Sequence, residues 1–233
     1  MPNEHQLVVL FDVDNTLLDN DRFGDDLMDK LESLFGAEQR ARYRKLYEKI
    51  RDEHGYADYL GALQFFRAGL DDDPKLLEMS GFMLEYPFAE RVFPGALEAI
   101  AHLKAFATTA VLSDGDVVFQ PRKVQHAGIW DAMGGNVMIY LHKELVLDAV
   151  QRRYPADHYA MVDDKPRLLA KMKKVMGDKL TTIYVRQGHY SAEAEAEGKV
   201  IDPRPDVTIN HIADLLTLDR SAFYGEQTLS KAG

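Results

Sequence analysis

The sequence predicts an α/β protein with a parallel sheet and a helical insertion after the first strand. A short apolar segment, Leu7 to Phe11, turns abruptly polar at Asp12. Helical periodicity then continues to about Glu90 without an apolar strand, and from Phe93 onward short strands alternate with helices. Alternation with crossovers of this length is typical of a parallel sheet that carries helices on both faces.

Composition narrows the function classes. A chain of 233 residues can form one large α/β domain or a core with an insert, and its net charge of −10 argues against nucleic acid and anionic membranes as partners. No run approaches the roughly 20 apolar residues of a membrane span. The start, MPNEHQ, lacks a secretory signal, and the absence of cysteine excludes disulfides, zinc thiolate sites and cysteine nucleophiles. We therefore expect a cytoplasmic protein, in which an anionic substrate would need a local metal or lysine.

The first strand, LVVLF, contains two β-branched valines and predicts a buried position. Asp12 and Asp14 follow it at i and i+2, so their side chains leave the strand on the same side. In open α/β sheets, ligands bind at the edge formed by the carboxyl ends of the strands. Asp-Val-Asp-Asn is also ordinary turn chemistry. This segment alone therefore leaves both interpretations open.

The insertion is predicted to comprise four helical segments that pack over the strand edge carrying Asp12 and Asp14. The charge on the second segment, AEQRARYRKLYEKIRDEHG, favours a solvated outer face. We divide the chain into an α/β core at 1–18 and 91–220, a helical cap at 19–90 and a C-terminal tail at 221–233.

Five further strands are predicted, separated by helices. They are TTAVL at 108–112, NVMIYL at 136–141, HYAMV at 158–162, TTIYVRQG at 181–188 and PDVTINHI at 205–212, with ADLLTL as a closing helix. The run SAEAEAEGKVIDPRP at 191–205 is expected to be an exposed, irregular connection, and the tail is expected to be loose.

Chemically suggestive side chains follow four successive strands. Each has an ordinary alternative as a helix cap, a solvated first-turn residue or a turn. Because parallel strands end at the same edge of the sheet, one pocket would hold them all. The convergence is therefore more specific than any one member, and the set comprises Asp12, Asp14, Ser113, Lys143, Asp163 and Asp164.

This order of motifs resembles the haloacid dehalogenase (HAD) superfamily of phosphotransferases and hydrolases. FDVDNT is similar to its first motif, LSDG to its second, the Lys143 region to its third and VDDKP to its fourth. The helical insertion resembles the family's C1-type cap, and the Phe93-Pro94-Gly95 segment resembles the return into the core. The resemblance implies a Rossmann-like core, Mg²⁺ and an aspartyl-phosphate intermediate.

Residue types fit the same chemistry. A carboxylate can attack phosphorus and split one slow hydrolysis into two steps; by resemblance this nucleophile is Asp12. Asp14 is placed to protonate the leaving alcohol and later to deprotonate water. The resemblance implies Mg²⁺ ligands from one Asp12 oxygen, the Asp14 backbone carbonyl and Asp164. Asp163 would support these ligands without contacting the ion.

The phosphoryl group requires positive charge and N–H groups already in place. Lys143 would supply the charge and Ser113 a hydroxyl, and the backbone N–H groups of Asp114 and Gly115 would form part of a phosphate cradle. We expect Lys165 to be an exposed helix start, and His142 to have a packing or solvent role. Asn15 stands where the family often has glycine, and asparagine tolerates turn conformations.

The expected function is a Mg²⁺-dependent phosphatase acting on a small phosphorylated metabolite. A haloacid-type dehalogenase would use the same nucleophile without metal, but a departing halide needs no proton from Asp14. A phosphomutase needs the same residues. A phosphoacceptor signalling domain also combines aspartate, an acidic cluster, a hydroxyl and lysine, but such domains are about half this length, lack the insertion and carry the acidic cluster before the acceptor. The oligomeric state stays open.

Overall fold

A six-stranded parallel sheet forms the centre of the molecule, with strand order β3-β2-β1-β4-β5-β6. The computed structural model describes residues 6–197 and 200–225, and within them the side chains of all but 193–197. The strands are β1 Leu7–Phe11, β2 Thr108–Asp114, β3 Val137–Tyr140, β4 His158–Asp163, β5 Leu180–Val185 and β6 Val207–Ile209. This order reverses direction at β1, which lies between β2 and β4 and so occupies the switch point where such sheets bind ligands.

Alternation along β1 explains why the whole strand is buried. Leu7, Val9 and Phe11 belong to one hydrophobic cluster, whereas Val8 and Leu10 belong to a second one. Since successive side chains leave a strand on opposite faces, the two clusters lie on the two sides of the sheet. The continuous apolar run in the sequence therefore reflects a sheet that is covered on both faces.

Four helices follow β1 before the 3-10 helix at Phe88–Arg91. They are α1 Asn20–Phe35, α2 Ala37–His54, α3 Tyr59–Phe66 and α4 Lys75–Leu84. Asp19 caps α1 by accepting a hydrogen bond from the Arg22 N–H at 3.0 Å, and Asp58 caps α3 in the same way. Gly55 ends α2 in the left-handed conformation, with φ of 79°, which its missing Cβ permits. We call α1 to α4 the helical insert.

Two chain crossings connect the insert to the sheet, and they are hydrogen-bonded to each other. The Asp19 N–H donates to the Arg91 carbonyl at 2.7 Å, and the Phe93 N–H donates to the Leu17 carbonyl at 2.9 Å. Leu18 also forms an antiparallel bridge with Val92. The outgoing and returning segments thus run side by side.

The remaining helices cover the sheet. They are α5 Ala96–Leu103, α6 Phe119–His126, α7 Ile129–Ala132, α8 Leu147–Arg153, α9 Pro166–Met176 and α10 Gly188–Glu197. Short 3-10 helices lie at Phe88–Arg91, Lys143–Leu145, Gly177–Lys179, Ile212–Thr217 and Arg220–Phe223. In the described part of the chain, no helix combines the length and apolarity needed to cross a membrane.

Two expectations about irregular segments were wrong. The run at 191–205 begins inside α10, where the Ser191 hydroxyl lies 2.7 Å from that of Tyr184. Alanine and glutamate favour a helix, but their alternation leaves no apolar stripe to reveal one. The start of the expected loose tail is also packed, because Phe223 is fully buried in the core. The rest of the expected tail, 226–233, and residues 198–199 lie outside the described residues.

The closing helix ADLLTL is a 3-10 helix at Ile212–Thr217. After β2 the chain forms two short helices rather than one, because Gly128 adopts a left-handed φ of 72° between α6 and α7.

Candidate active site

Asp12 follows β1 directly and shares an ammonium group with Asp163 at the end of β4. Lys143 Nζ lies 2.6 Å from Asp12 Oδ1 and 2.7 Å from Asp163 Oδ2. All three side chains are almost completely buried. Burial raises the pKa of Asp12, but the positive charges of Lys143 and Lys165 outweigh burial and hold this pKa below its usual value. Asp12 is therefore poised as a carboxylate, the form that a nucleophile needs.

Lys143 remains charged in spite of its burial. Desolvation lowers its pKa, but the carboxylates of Asp12, Asp163 and Asp114 more than compensate and raise this pKa above the ordinary lysine value. The ammonium group is thus a fixed positive charge beside Asp12, as the sequence predicts.

Asp164 supplies carboxylate oxygens without protein partners. Its backbone N–H donates to the Thr16 hydroxyl at 3.1 Å, whereas both of its carboxylate oxygens and Asp12 Oδ2 are buried without a hydrogen bond. Burial and the neighbouring Asp163 raise the pKa of Asp164 well above its usual value. Such groups are costly to bury unless something compensates them.

Asp12, Asp163 and Asp164 can each point one oxygen into a common space, with these atoms within 4.8 Å of one another. Mg²⁺ prefers oxygen ligands of this kind and retains several waters. The unpartnered oxygens of Asp12 and Asp164 therefore fit a divalent cation. Asp163 is already engaged, because its Oδ1 also accepts a hydrogen bond from the Lys165 N–H at 2.8 Å.

Asp14 lies outside this carboxylate group and is held by helix α6. Lys123 Nζ lies 2.7 Å from Asp14 Oδ1, and Gln120 Nε2 donates to Asp14 Oδ2 at 3.2 Å. The same amide group of Gln120 donates to the Ser113 hydroxyl at 3.1 Å. Thus two of the six predicted site residues, Asp14 and Ser113, are hydrogen-bonded to one helix that the sequence did not single out.

The predicted phosphate cradle is only partly available. The Gly115 N–H donates to the Tyr140 carbonyl at 2.9 Å, so the expectation that it faces phosphate is wrong for this geometry. The Asp114 side chain instead accepts a hydrogen bond from the backbone N–H of Lys143 at 2.7 Å. This contact helps to hold Lys143 in place. Burial raises the pKa of Asp114 to about 6. Gly115 is nevertheless required, because a Cβ there would lie 2.8 Å from Gln120.

Asn15 shapes the turn between Asp14 and α1. It has a φ of 59° and is the one non-glycine residue with positive φ among the residues described. Its side-chain oxygen accepts hydrogen bonds from the N–H groups of Asn20 and Asp21 at 3.1 and 3.2 Å. Asparagine therefore adopts the turn conformation expected of it and also caps the first helix of the insert.

The expectation that Lys165 is an exposed helix start was wrong. Its Nζ lies over the Tyr190 ring, 4.6 Å from the centroid, and its charge acts on Asp12. Pro166 fixes the first turn of α9 and so leaves Lys165 extended, directed towards the sheet edge. His142 is half-buried and its ring lies close to Gly55, which agrees with a packing role between the core and the insert.

A cavity of ≈ 470 Å³ separates the helical insert from the sheet edge. Asp14, Asp114 and Lys165 line it from one side, and Tyr47 and Arg51 of α2 line it from the other. A volume of this size is typical of small-molecule sites.

Sequence reasoning missed Lys123 and Gln120. Lys123 lies four residues after Phe119 and directly before Val124, and both of these apolar side chains are buried. Lys123 therefore lies on the apolar face of α6. A lysine on the buried face of an amphipathic helix is the signal that could have identified it.

Comparisons with known proteins identify the family of this chain. A family model described as haloacid dehalogenase-like hydrolase matches residues 7–175. A crystal structure of a protein assigned to the same hydrolases, from Burkholderia xenovorans LB400, is 52% identical with a TM-score of 0.87, and the match covers 94% of this chain and 99% of that one. No curated protein matches the chain.

More distant structures share the fold. The L-2-haloacid dehalogenase from Xanthobacter autotrophicus is 18% identical with a TM-score of 0.55, covering 91% of this chain and 97% of that one. The hydrolase YfnB from Bacillus subtilis, bound to magnesium, is 16% identical with a TM-score of 0.59, covering 92% of this chain and 100% of that one. The family model spans most of the chain and the carboxylate cluster lies where the fold binds ligands. The chain therefore belongs to the haloacid dehalogenase-like hydrolases.

Proposed function

We propose that this hydrolase is a Mg²⁺-dependent phosphatase that works through a phosphorylated Asp12. The observation that carries the proposal is the set of buried, unpartnered oxygens on Asp12 and Asp164. A dehalogenase needs no cation and would gain nothing from this costly cluster. YfnB, which has the same fold, is bound to magnesium in its crystal structure.

The residues divide the reaction into two steps. Asp12 attacks the phosphorus of the ester, a bond forms between its carboxylate and phosphorus, and the ester oxygen leaves with a proton from Asp14. Water then attacks the phosphorus, Asp14 takes its proton, and the bond to Asp12 breaks. Bound Mg²⁺ would supply a Lewis acid that neutralises charge on the phosphoryl oxygens, held by Asp12 and Asp164 with the Asp14 backbone carbonyl.

A lysine of this chain also stabilises the negative charge of the phosphoryl group. Lys143, buried beside Asp12, balances the negative charge of the phosphoryl oxygens, and it is fixed before substrate arrives. The Ser113 hydroxyl, oriented by Gln120, would hold a phosphoryl oxygen.

We also propose that the helical insert acts as the cap, with the division at 19–90 expected from the sequence. The cavity between the insert and the core supports a small phosphate ester as substrate. In this arrangement, Tyr47 and Arg51 would contact the leaving group.

Mg²⁺-dependent phosphate release from p-nitrophenyl phosphate tests the proposal. Asp12→Asn should abolish turnover, whereas Asp178→Asn, which alters an exposed aspartate, should leave it unchanged. Full activity of the Asp12 variant would refute the assignment of the nucleophile.

Two alternatives give different products. Chloride release from 2-chloropropionate without metal would indicate a dehalogenase, and isomerisation of a sugar phosphate would indicate a mutase. Membership of the hydrolase family argues against the phosphoacceptor alternative.

A further inference from the structure

Helix α6 carries a buried lysine that the sequence motifs do not explain. Lys123 is 1% exposed, and its ammonium group lies 5.5 to 6.0 Å from the centroids of four aromatic rings, those of Phe23, Tyr59, Phe88 and Phe119. Aromatic faces attract a cation but do not replace its hydration. An ammonium group in this position therefore depends on its polar partners.

Those partners connect the insert to the site. Lys123 Nζ donates to Asn20 Oδ1 at 2.9 Å, at the first residue of α1, and lies 2.7 Å from Asp14 Oδ1. Among the residues described, Asp14 is the one carboxylate within ion-pair distance of Lys123. Gln120, three residues earlier on the same helix, holds the other oxygen of Asp14. The orientation of this carboxylate is thus fixed at both oxygens.

A purely structural lysine would be a poor choice here. The space around its side chain is already apolar, and replacing a buried ion pair by well-packed apolar groups is often neutral or stabilising. The ion pair with Asp14 is therefore the feature that requires a lysine.

We propose that Lys123 is a positioning residue that holds Asp14 ready to accept a proton from water when the aspartyl phosphate is hydrolysed. The inference rests on the proposed phosphatase function. In this step the water oxygen bonds to phosphorus, its proton passes to Asp14, and the phosphorus–oxygen bond to Asp12 breaks, releasing inorganic phosphate. Lys123 touches neither the substrate nor the phosphoryl group.

Steady-state kinetics of Lys123→Met with p-nitrophenyl phosphate separates the two steps. Nitrophenolate leaves without a proton, so kcat/KM reports the phosphorylation of Asp12, whereas kcat includes the hydrolysis of the intermediate. We expect kcat to fall about 10- to 100-fold, at or below the lower end of the range for a lost general base because Asp14 itself is kept, while kcat/KM changes less than about 3-fold. Phosphorylated protein should accumulate during turnover, visible by intact mass spectrometry.

A matched control is Lys104→Met. This lysine is exposed and donates to the Ala132 carbonyl at 2.9 Å, so its loss should change neither kinetic constant. If Lys123→Met does not fold, Lys123→Gln keeps a hydrogen-bond donor to Asp14. It should show the same separation of kcat from kcat/KM, to a smaller degree.

The outcomes distinguish this inference from the function on which it rests. Equal losses of kcat and kcat/KM in Lys123→Met, without accumulation of phosphorylated protein, would overturn the positioning role of Lys123. Mg²⁺-dependent turnover by the wild type would still support the phosphatase function in that case. Absence of Mg²⁺-dependent turnover in the wild type would overturn both.

Discussion

Replacing Asp164 by asparagine is expected to stabilise the metal-free protein and to remove its response to Mg²⁺. In the wild type, both Asp164 oxygens are buried without a hydrogen bond beside two other carboxylates. Asparagine keeps two polar atoms at this place but removes the buried negative charge, and relieving an uncompensated buried group of this kind is worth about 1–3 kcal/mol. For a chain of this size, 1 kcal/mol corresponds to about 2–4 °C in Tm, so the metal-free variant should melt about 2–12 °C higher.

Mg²⁺ should raise the Tm of the wild type more than that of the variant. A cation that binds only the folded state adds about 2.7 kcal/mol when its concentration is 100 times its Kd, which corresponds to about 5–11 °C for the wild type. The variant has lost a carboxylate from the site and should show little of this gain. Thermal melting in EDTA and in Mg²⁺ measures both quantities, with the exposed Asp178→Asn as control.

The pH dependence provides a further check on Asp164. Because its pKa in the folded protein is raised above 3.8, the folded state binds a proton that the unfolded state has lost. The metal-free wild type should therefore lose stability as the pH rises above about 4, and the advantage of the variant should grow over the same interval. A variant that melts lower than the wild type in EDTA, or that keeps the full Mg²⁺ response, would refute this account of the cluster.

Three other changes follow from the packing and the charges. Lys143→Met leaves Asp12 and Asp163 without their cation. It should lower the free energy of unfolding by about 3–5 kcal/mol and abolish turnover. An unchanged urea midpoint would show that these two carboxylates do not need the charge of Lys143. Phe223→Ala should cost about 3–5 kcal/mol in urea unfolding because the ring is fully buried, and a near-neutral result would contradict the packing of this segment. Asp114 has a pKa raised to about 6, so its folded form holds a proton between about pH 4 and 6, and it reduces stability as the pH rises through that interval. Asp114→Asn should make this slope less steep in urea titrations across the interval and leave the contribution of Asp164, and an unaltered slope would place the titration elsewhere.

The strand-end residues could be predicted because a parallel sheet imposes their convergence. Asp12, Ser113, Lys143 and Asp163 each follow a short apolar strand, and the register of neighbouring strands brings these ends to one edge. Local periodicity is sufficient for this inference. The family motifs then associate each position with a role.

The side-chain contacts that helices make with the site could not be predicted from sequence periodicity. Lys123 reaches Asp14 because α6 packs against both α1 and the segment after β1. This contact joins three segments that are distant in sequence, so local hydrophobic periodicity does not predict it. Lys165 was misjudged for a related reason, since its environment depends on Tyr190 in α10, a helix that the sequence pattern concealed. Periodicity tells which face of a helix is buried, but the partner of that face is decided by tertiary packing.

Every charged side chain around Asp12 comes from segments outside the helical insert, which is attached through the two adjacent crossings near Leu18 and Val92. Under the proposed cap function, we therefore expect mutations of the insert to change which molecules enter while the reacting groups stay intact. Asn20, Phe23 and Tyr59 of the insert surround the ammonium group of Lys123, so we expect substitutions at these three positions to disturb its ion pair with Asp14.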